Sequence, residues 1–157
     1  MITKPFSPRD IFAQPVVNSS RVFLSPQRYI QGPGVIKNCG LYLSLINAKH
    51  VGVLASKRGF SAEAENVLQS LNEAGIEYSK AEFRGECSKE EVERHTNDLM
   101  SAKPDCILAV GGGKLVDAGK CIAYRLNCQV GIIPTLASND APCSSISVLY
   151  TVDGVKD

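Results

Sequence analysis

Neither sign of charge prevails in this sequence: 17 Lys and Arg stand against 16 Asp and Glu, a formal net charge of +1. No summed basic field exists to hold a nucleic-acid backbone or an anionic membrane, so any anion must be bound locally. No apolar run is long enough to span a bilayer, which excludes a membrane-spanning helix. The six cysteines (Cys39, Cys87, Cys106, Cys121, Cys128 and Cys143) contain no CxxC pair, and most lie in apolar segments where a reduced thiol behaves as a small hydrophobe. A reducing compartment fits that usage. Only two histidines occur, His50 and His95, far apart and with no Cys or His at ligand spacing, so no zinc site is expected within the chain itself. The first twenty residues lack the h-region and cleavage site of a secretory signal and are read as a loose arm. The expected location is the cytoplasm, with a mitochondrial presequence as the alternative.

What is present is a hydrophobic fraction of 44 % and a charged fraction of 21 % over 157 residues, the profile of one globular domain with its own core. After a short extended piece at "RVFLS", strand and helix patterns alternate from residue 21 to the end. "HVGVLAS", "IEYSKAEF", "DCILAV" and "CQVGIIPT" read as strands. Between them, "FSAEAENVLQSLNEAG" reads as a helix ended by Gly75, and "SKEEVERHTNDLMSA" as one begun by Ser88 with Glu91 completing a capping box. "KLVDAGKCIAYRL" reads as a third, with Leu115, Ala118, Ile122 and Leu126 on one stripe and Lys114, Asp117, Lys120 and Arg125 largely off it. Apolar strands separated by helices predict an α/β, doubly wound, Rossmann-like parallel sheet covered on both faces. The closing "SISVLYTVDGVKD" reads as a β-rich run with a hairpin turn at Asp153-Gly154 whose second strand is cut short, suggesting the front part of something longer.

The stretch "AVGGGKLVDAGK" carries the chemistry. A glycine-rich turn that opens a helix after a parallel strand leaves backbone N–H groups aimed at one point, and the helix dipole adds partial positive charge there. Gly111, Gly112 and Gly113 would let a pyrophosphate approach the main chain, and Lys114 could add a charge or stay solvated. The spacing is neither GxGxxG nor the P-loop pattern, which argues against a P-loop ATPase. A tight turn with no ligand is the plain alternative. The next strand end adds "PTLASNDAPCSS", which brings Thr135, Ser138, Asn139, Asp140 and Ser144 to the same edge, where ligands bind in open α/β sheets.

Together "GGGKLVD" and "PTLASNDAPCSSISVLY", with "RYIQGPGVI" near Arg28, resemble the glycerol dehydrogenase branch of the iron-containing alcohol dehydrogenase family, from about Arg21 to the terminus. The resemblance implies that Gly111, Gly112, Gly113, Lys114, Asp117, Thr135, Ser138, Ser144, Ile146 and Tyr150 contact the cofactor NAD, and that Asp140 contacts the hydroxyls of a polyol such as glycerol. It also implies hydride transfer from a secondary alcohol to the nicotinamide, giving dihydroxyacetone from glycerol, in a homo-oligomer. The family's divalent metal, usually zinc, is held by an aspartate and two histidines of a helical C-terminal domain that would begin soon after residue 157, so no metal ligand is expected here.

One departure concerns the dinucleotide. The family commonly has an aspartate after the first strand, for the adenine ribose hydroxyls; this chain has Ser56, followed by Lys57 and Arg58. Ser56 is taken as the matching position, and the two cations suggest tolerance of the 2′-phosphate of NADP, an exposed basic pair being the alternative. Two other functions stay open at this point: a non-catalytic dinucleotide-binding module, and a lyase similar to dehydroquinate synthase, against which "DAPCS" argues.

Overall fold

The computed structural model describes residues 26–151 and 154–156. The arm and the "RVFLS" strand lie outside the described residues, as does Asp153 of the expected hairpin turn.

Four parallel strands form one sheet: β1 (His50–Ser56), β2 (Glu77–Phe83), β3 (Cys106–Gly111) and β4 (Gln129–Pro134), in spatial order β2-β1-β3-β4. The two central strands are almost wholly buried, and side-chain alternation sends their residues to opposite faces. Val51, Val53, Cys106 and Leu108 join one core with α1 (Cys39–Ser44) and α3 (Glu63–Glu73). Leu54, Ile107 and Ala109 join a second core with α4 (Lys89–Met100) and α5 (Gly113–Leu126). The doubly wound α/β class read from the sequence is the observed one. Full cover of both faces holds only at the centre, because β2 and β4 are edge strands. Exposed Glu77, Lys80 and Glu82 on β2 suit an edge that must not pair with another chain.

The helix ends have local causes. Gly75, at φ +67°, ends α3 with paired bonds from Gly75 N to Asn72 O (3.1 Å) and Ile76 N to Leu71 O (2.9 Å), a Schellman arrangement with Leu71 and Ile76 in one core. Asn127, at φ +53°, ends α5 the same way through Cys128 N to Ala123 O (3.0 Å). The helix expected over 60–75 is α3, beginning at Glu63, and a separate single turn α2 (Lys57–Phe60) precedes it directly after β1. Ser56 Oγ accepts the Gly59 N–H (3.0 Å) and starts α2 too early to run on, and Ala62 at φ −133°, ψ −109° breaks the path.

Ser88 Oγ caps α4 by accepting the Glu91 N–H (3.2 Å), but the reciprocal half of the capping box is diverted. Glu91 Oε1 instead accepts from Arg84 N (2.9 Å), Arg94 (2.6 Å) and His95 Nε2 (3.1 Å). The closing β-rich run is reduced to bridges at Tyr150, which pairs in parallel with Ser88 and antiparallel with Lys156. Thr151 N to Val155 O (2.7 Å) closes that turn around Gly154.

Candidate functional site

Because all four strands run in parallel, their carboxyl ends share one edge. The connections leave β1 toward β2 on one side, and β3 leads to β4 on the other. The strand order therefore reverses between β1 and β3, and their carboxyl ends form the switch point at which open α/β sheets bind ligands. Ser56 and the glycine turn flank that point. The first intrahelical bond of α5 runs from Val116 N to Gly112 O (3.0 Å), so the N–H groups of Gly113, Lys114 and Leu115 precede it, and no side chain caps them.

The three glycines differ in what surrounds them. A Cβ on Gly111 would stand 2.8 Å from Leu115 Cδ1, and one on Gly113 would collide with the Asn139 amide. One on Gly112 would meet nothing within 4 Å. Gly111 and Gly113 are therefore small to let the turn close, whereas Gly112 faces open space at the helix N-terminus. That is the shape of a main-chain anion cradle.

The loop after β4 folds over this end of α5. Thr135 N bonds Gly111 O (3.1 Å), continuing the β3–β4 ladder, and Asn139 lies against Gly113. Asn139 Oδ1 accepts the Ala141 N–H (3.1 Å), and Cys143 N and Ser144 N both donate to Asp140 O. Thus Asn139, rather than Asp140, makes the side-chain turn before Pro142, and Asp140 is exposed. Ser138 and Ile146 are exposed as well, and Ser144 Oγ accepts the Ile146 N–H (3.1 Å).

Lys114 Nζ bonds Glu86 Oε2 at 2.7 Å and lies 5.1 Å from the centre of the Tyr150 ring. The Glu86 hydrogen bond raises its pKa, so the ammonium stays charged. Asp117, expected off the apolar stripe, is 7 % exposed. It is buried under the loop, with Oδ2 accepting the Val148 N–H (3.1 Å) and Oδ1 2.7 Å from Lys120 Nζ. Ser56 spends its hydroxyl on capping α2, and Lys57 and Arg58 stand exposed beside it.

The structure thus brings Gly111–Gly113, Lys114, Thr135, Asn139, Asp140 and Tyr150 around one end of α5. Sequence reasoning overlooked Glu86 and Lys120. The three-residue spacing from Asp117 to Lys120 on one helix face was the available signal for the latter; nothing local pointed to Glu86.

Among the described residues, no three His, Cys, Asp or Glu side chains lie close enough to share a metal ion. His50, at the opposite edge, contacts Ser79 Oγ (2.9 Å), and His95 is buried on α4 beside Glu91. The described residues therefore do not fit the divalent metal, and no step is assigned to one. No helix among them is long and apolar enough to cross a membrane.

Residues 26–157 match the family profile described as iron-containing alcohol dehydrogenase. The chain is 39 % identical over 137 residues to a glycerol dehydrogenase of Escherichia coli O6:H1, covering 87 % of this chain and 37 % of the relative. It is 39 % identical over 129 residues to a glycerol dehydrogenase of Thermotoga maritima, covering 82 % of this chain and 35 % of that one. The crystal structure of glycerol dehydrogenase from Schizosaccharomyces pombe superposes with a TM-score of 0.77 at 36 % identity, over 89 % of this chain and 35 % of its own. The chain thus spans a little over a third of the length of these relatives. With the family profile matched over residues 26–157 and these relatives sharing more than a third of the aligned residues, this chain belongs to the iron-containing alcohol dehydrogenase family.

Proposed function

We propose that this chain is the dinucleotide-binding part of a polyol dehydrogenase, with NAD as cofactor and glycerol as the alcohol that becomes dihydroxyacetone. The observation that carries this is the open space outside Gly112, at the N-terminus of a fourteen-residue helix and at the point where strand order reverses. The N–H groups of Gly113, Lys114 and Leu115 would hold the diphosphate there, helped by the dipole of α5. The nicotinamide supplies the hydride acceptor when the dinucleotide is bound. Thr135, Ser138 and Ser144 would orient the dinucleotide, and Ile146 and Tyr150 would flank it. Exposed Asp140 would accept hydrogen bonds from adjacent alcohol hydroxyls, the role a carboxylate suits. The relatives named above are glycerol dehydrogenases, which supports the choice of substrate. Six free cysteines support a reducing, cytoplasmic setting.

Exposed Lys57 and Arg58 at the end of β1 support tolerance of a 2′-phosphate in addition. Calorimetric titration with NAD and then NADP tests both points, with Gly112→Ala as the control. Gly112 has φ −82° and ψ −178°, which alanine adopts freely, so the variant should fold with equal or slightly greater stability, about 0.4–1 kcal/mol. Its methyl group fills the cradle, so dinucleotide binding should be lost. Equal binding by wild type and Gly112→Ala overturns the cradle, and equal NADP affinity in wild type and Arg58→Ala overturns the phosphate contact.

A further inference from the structure

Lys120, which the helical pattern puts largely off the apolar stripe, lies about two turns past the glycine turn. Its side chain is only 10 % exposed, and the ammonium is surrounded by acceptors. Nζ donates to three carbonyls of the loop after β4: Ala141 O (3.1 Å), Ser144 O (3.1 Å) and Ile146 O (2.5 Å). Asp117 Oδ1 stands 2.7 Å away and supplies the countercharge. The same helix makes two more ties to the continuing chain, Asp117 Oδ2 from Val148 N (3.1 Å) and Asp117 O from Ser147 Oγ (3.2 Å).

A largely covered ammonium with this many acceptors does not arise from a solvated surface lysine. Desolvating it is costly, and only the carboxylate and the converging carbonyls offset that cost. The span these bonds hold, 141–148, follows Asn139, which packs on Gly113, and Asp140, whose carbonyl closes the turn through Cys143 and Ser144. One helix therefore carries the cradle at its first turn and the anchor of the neighbouring loop at its second. We infer that Lys120 and Asp117 are a positioning pair: their bonds to the loop hold Asn139 and Asp140 at a set distance from the glycine turn. This rests on the dinucleotide reading for its consequence, although the anchoring itself does not.

The test is amide hydrogen exchange of the 157-residue chain, run on wild type, Lys120→Met, Lys120→Arg and Asp117→Asn, alongside calorimetric titration with NAD. Lys120→Met keeps the aliphatic stem and removes the ammonium. Protection of the Cys143, Ser144 and Val148 amides should fall about tenfold or more, the range for losing a charge-assisted hydrogen bond, while Val53 and Leu108 in the sheet stay protected. NAD affinity should fall with it, although Lys120 makes no contact with the cradle, and Lys120→Arg should recover most of both. Asp117→Asn, which leaves the helix apolar face intact, should loosen the same amides.

Unchanged loop protection in Lys120→Met overturns the inference. A uniform loss across sheet and loop overturns it too, because it marks a general stability role. Local loosening with NAD affinity unchanged overturns the coupling to the cradle. Wild-type chain that binds no NAD sinks the dinucleotide reading instead, and the exchange pattern still decides the anchor.

Discussion

Glu86 Oε2 holds Lys114 Nζ at 2.7 Å, so the one cation in the first turn of the glycine helix is already paired before any ligand arrives. Glu86 belongs to the loop after β2, and its other oxygen accepts the Cys87 N–H (3.2 Å). On the proposed reading, a diphosphate at the glycine turn shares the ammonium with that carboxylate. Glu86→Gln should therefore tighten NAD binding by about two- to fivefold, the range of half-exposed ion pairs, and steepen its salt dependence. Weaker binding by the variant would mean that Glu86 aids the ligand.

Gly119 is where α5 rests on β3. A Cβ there would lie 2.6 Å from Ala109 Cβ, an atom with no rotamer to escape through. Gly119→Ala should lower the urea midpoint by an amount equivalent to about 1–3 kcal/mol, the usual cost of overpacking. A midpoint at the wild-type value would show that the helix can lift off the strand at no cost.

Stability should depend on pH through His95. It is 1 % exposed, and burial first and the Arg94 guanidinium second push its pKa down from 6.5, outweighing the pull of Glu91. The unfolded chain then takes up a proton near pH 6.5 that the folded chain refuses, so stability rises with pH in that window and is lost as pH falls from 6.5 toward the folded value. The slope should approach about 1.4 kcal/mol per pH unit at most. Glu91 acts lower: burial raises its pKa, but Arg94, the Arg84 N–H and His95 together hold it below 4.5, so its contribution disappears on acidification below that value. Urea unfolding at several pH values, in wild type and His95→Gln, checks this. Equal slopes between pH 5 and 6.5 would remove His95 as the cause.

The thiols should separate by reactivity. Burial pushes Cys87 and Cys106 up to about 12 and Cys128 up to about 11, whereas Cys143 is exposed on the loop beside Asp140. A thiol reagent at neutral pH should give a fast phase that Cys143→Ser abolishes. If NAD slows that phase, the loop lies against the ligand; a fast phase that survives in Cys143→Ser would mean another cysteine opens to solvent.

Much of the fold was legible because its causes are local. His50–Ser56 and Cys106–Gly111 are apolar runs flanked by turn signals, Gly75 supplies the left-handed residue a helix end needs, and Ser88 caps as its type predicts. The glycine turn was legible as a strand-to-helix turn, although only Gly111 is kept small by a near neighbour, Leu115, while Gly113 is kept small by Asn139. Less legible was the early one-turn helix at Lys57–Phe60, where a single hydroxyl, Ser56 Oγ, decides between capping and ligand contact.

By itself, then, the order of residues determined the alternating elements, their caps and the glycine turn at Gly111–Gly113. Only the tertiary structure decided that Asp117 and Lys120 lie under the loop and that Glu86 meets Lys114. Those contacts join residues 21 to 31 positions apart, and those of Asp117 and Lys120 cover a helix face with a segment from beyond the next strand. Helical periodicity reports which face is apolar, but it carries no information about which polar side chains a distant loop will come to cover.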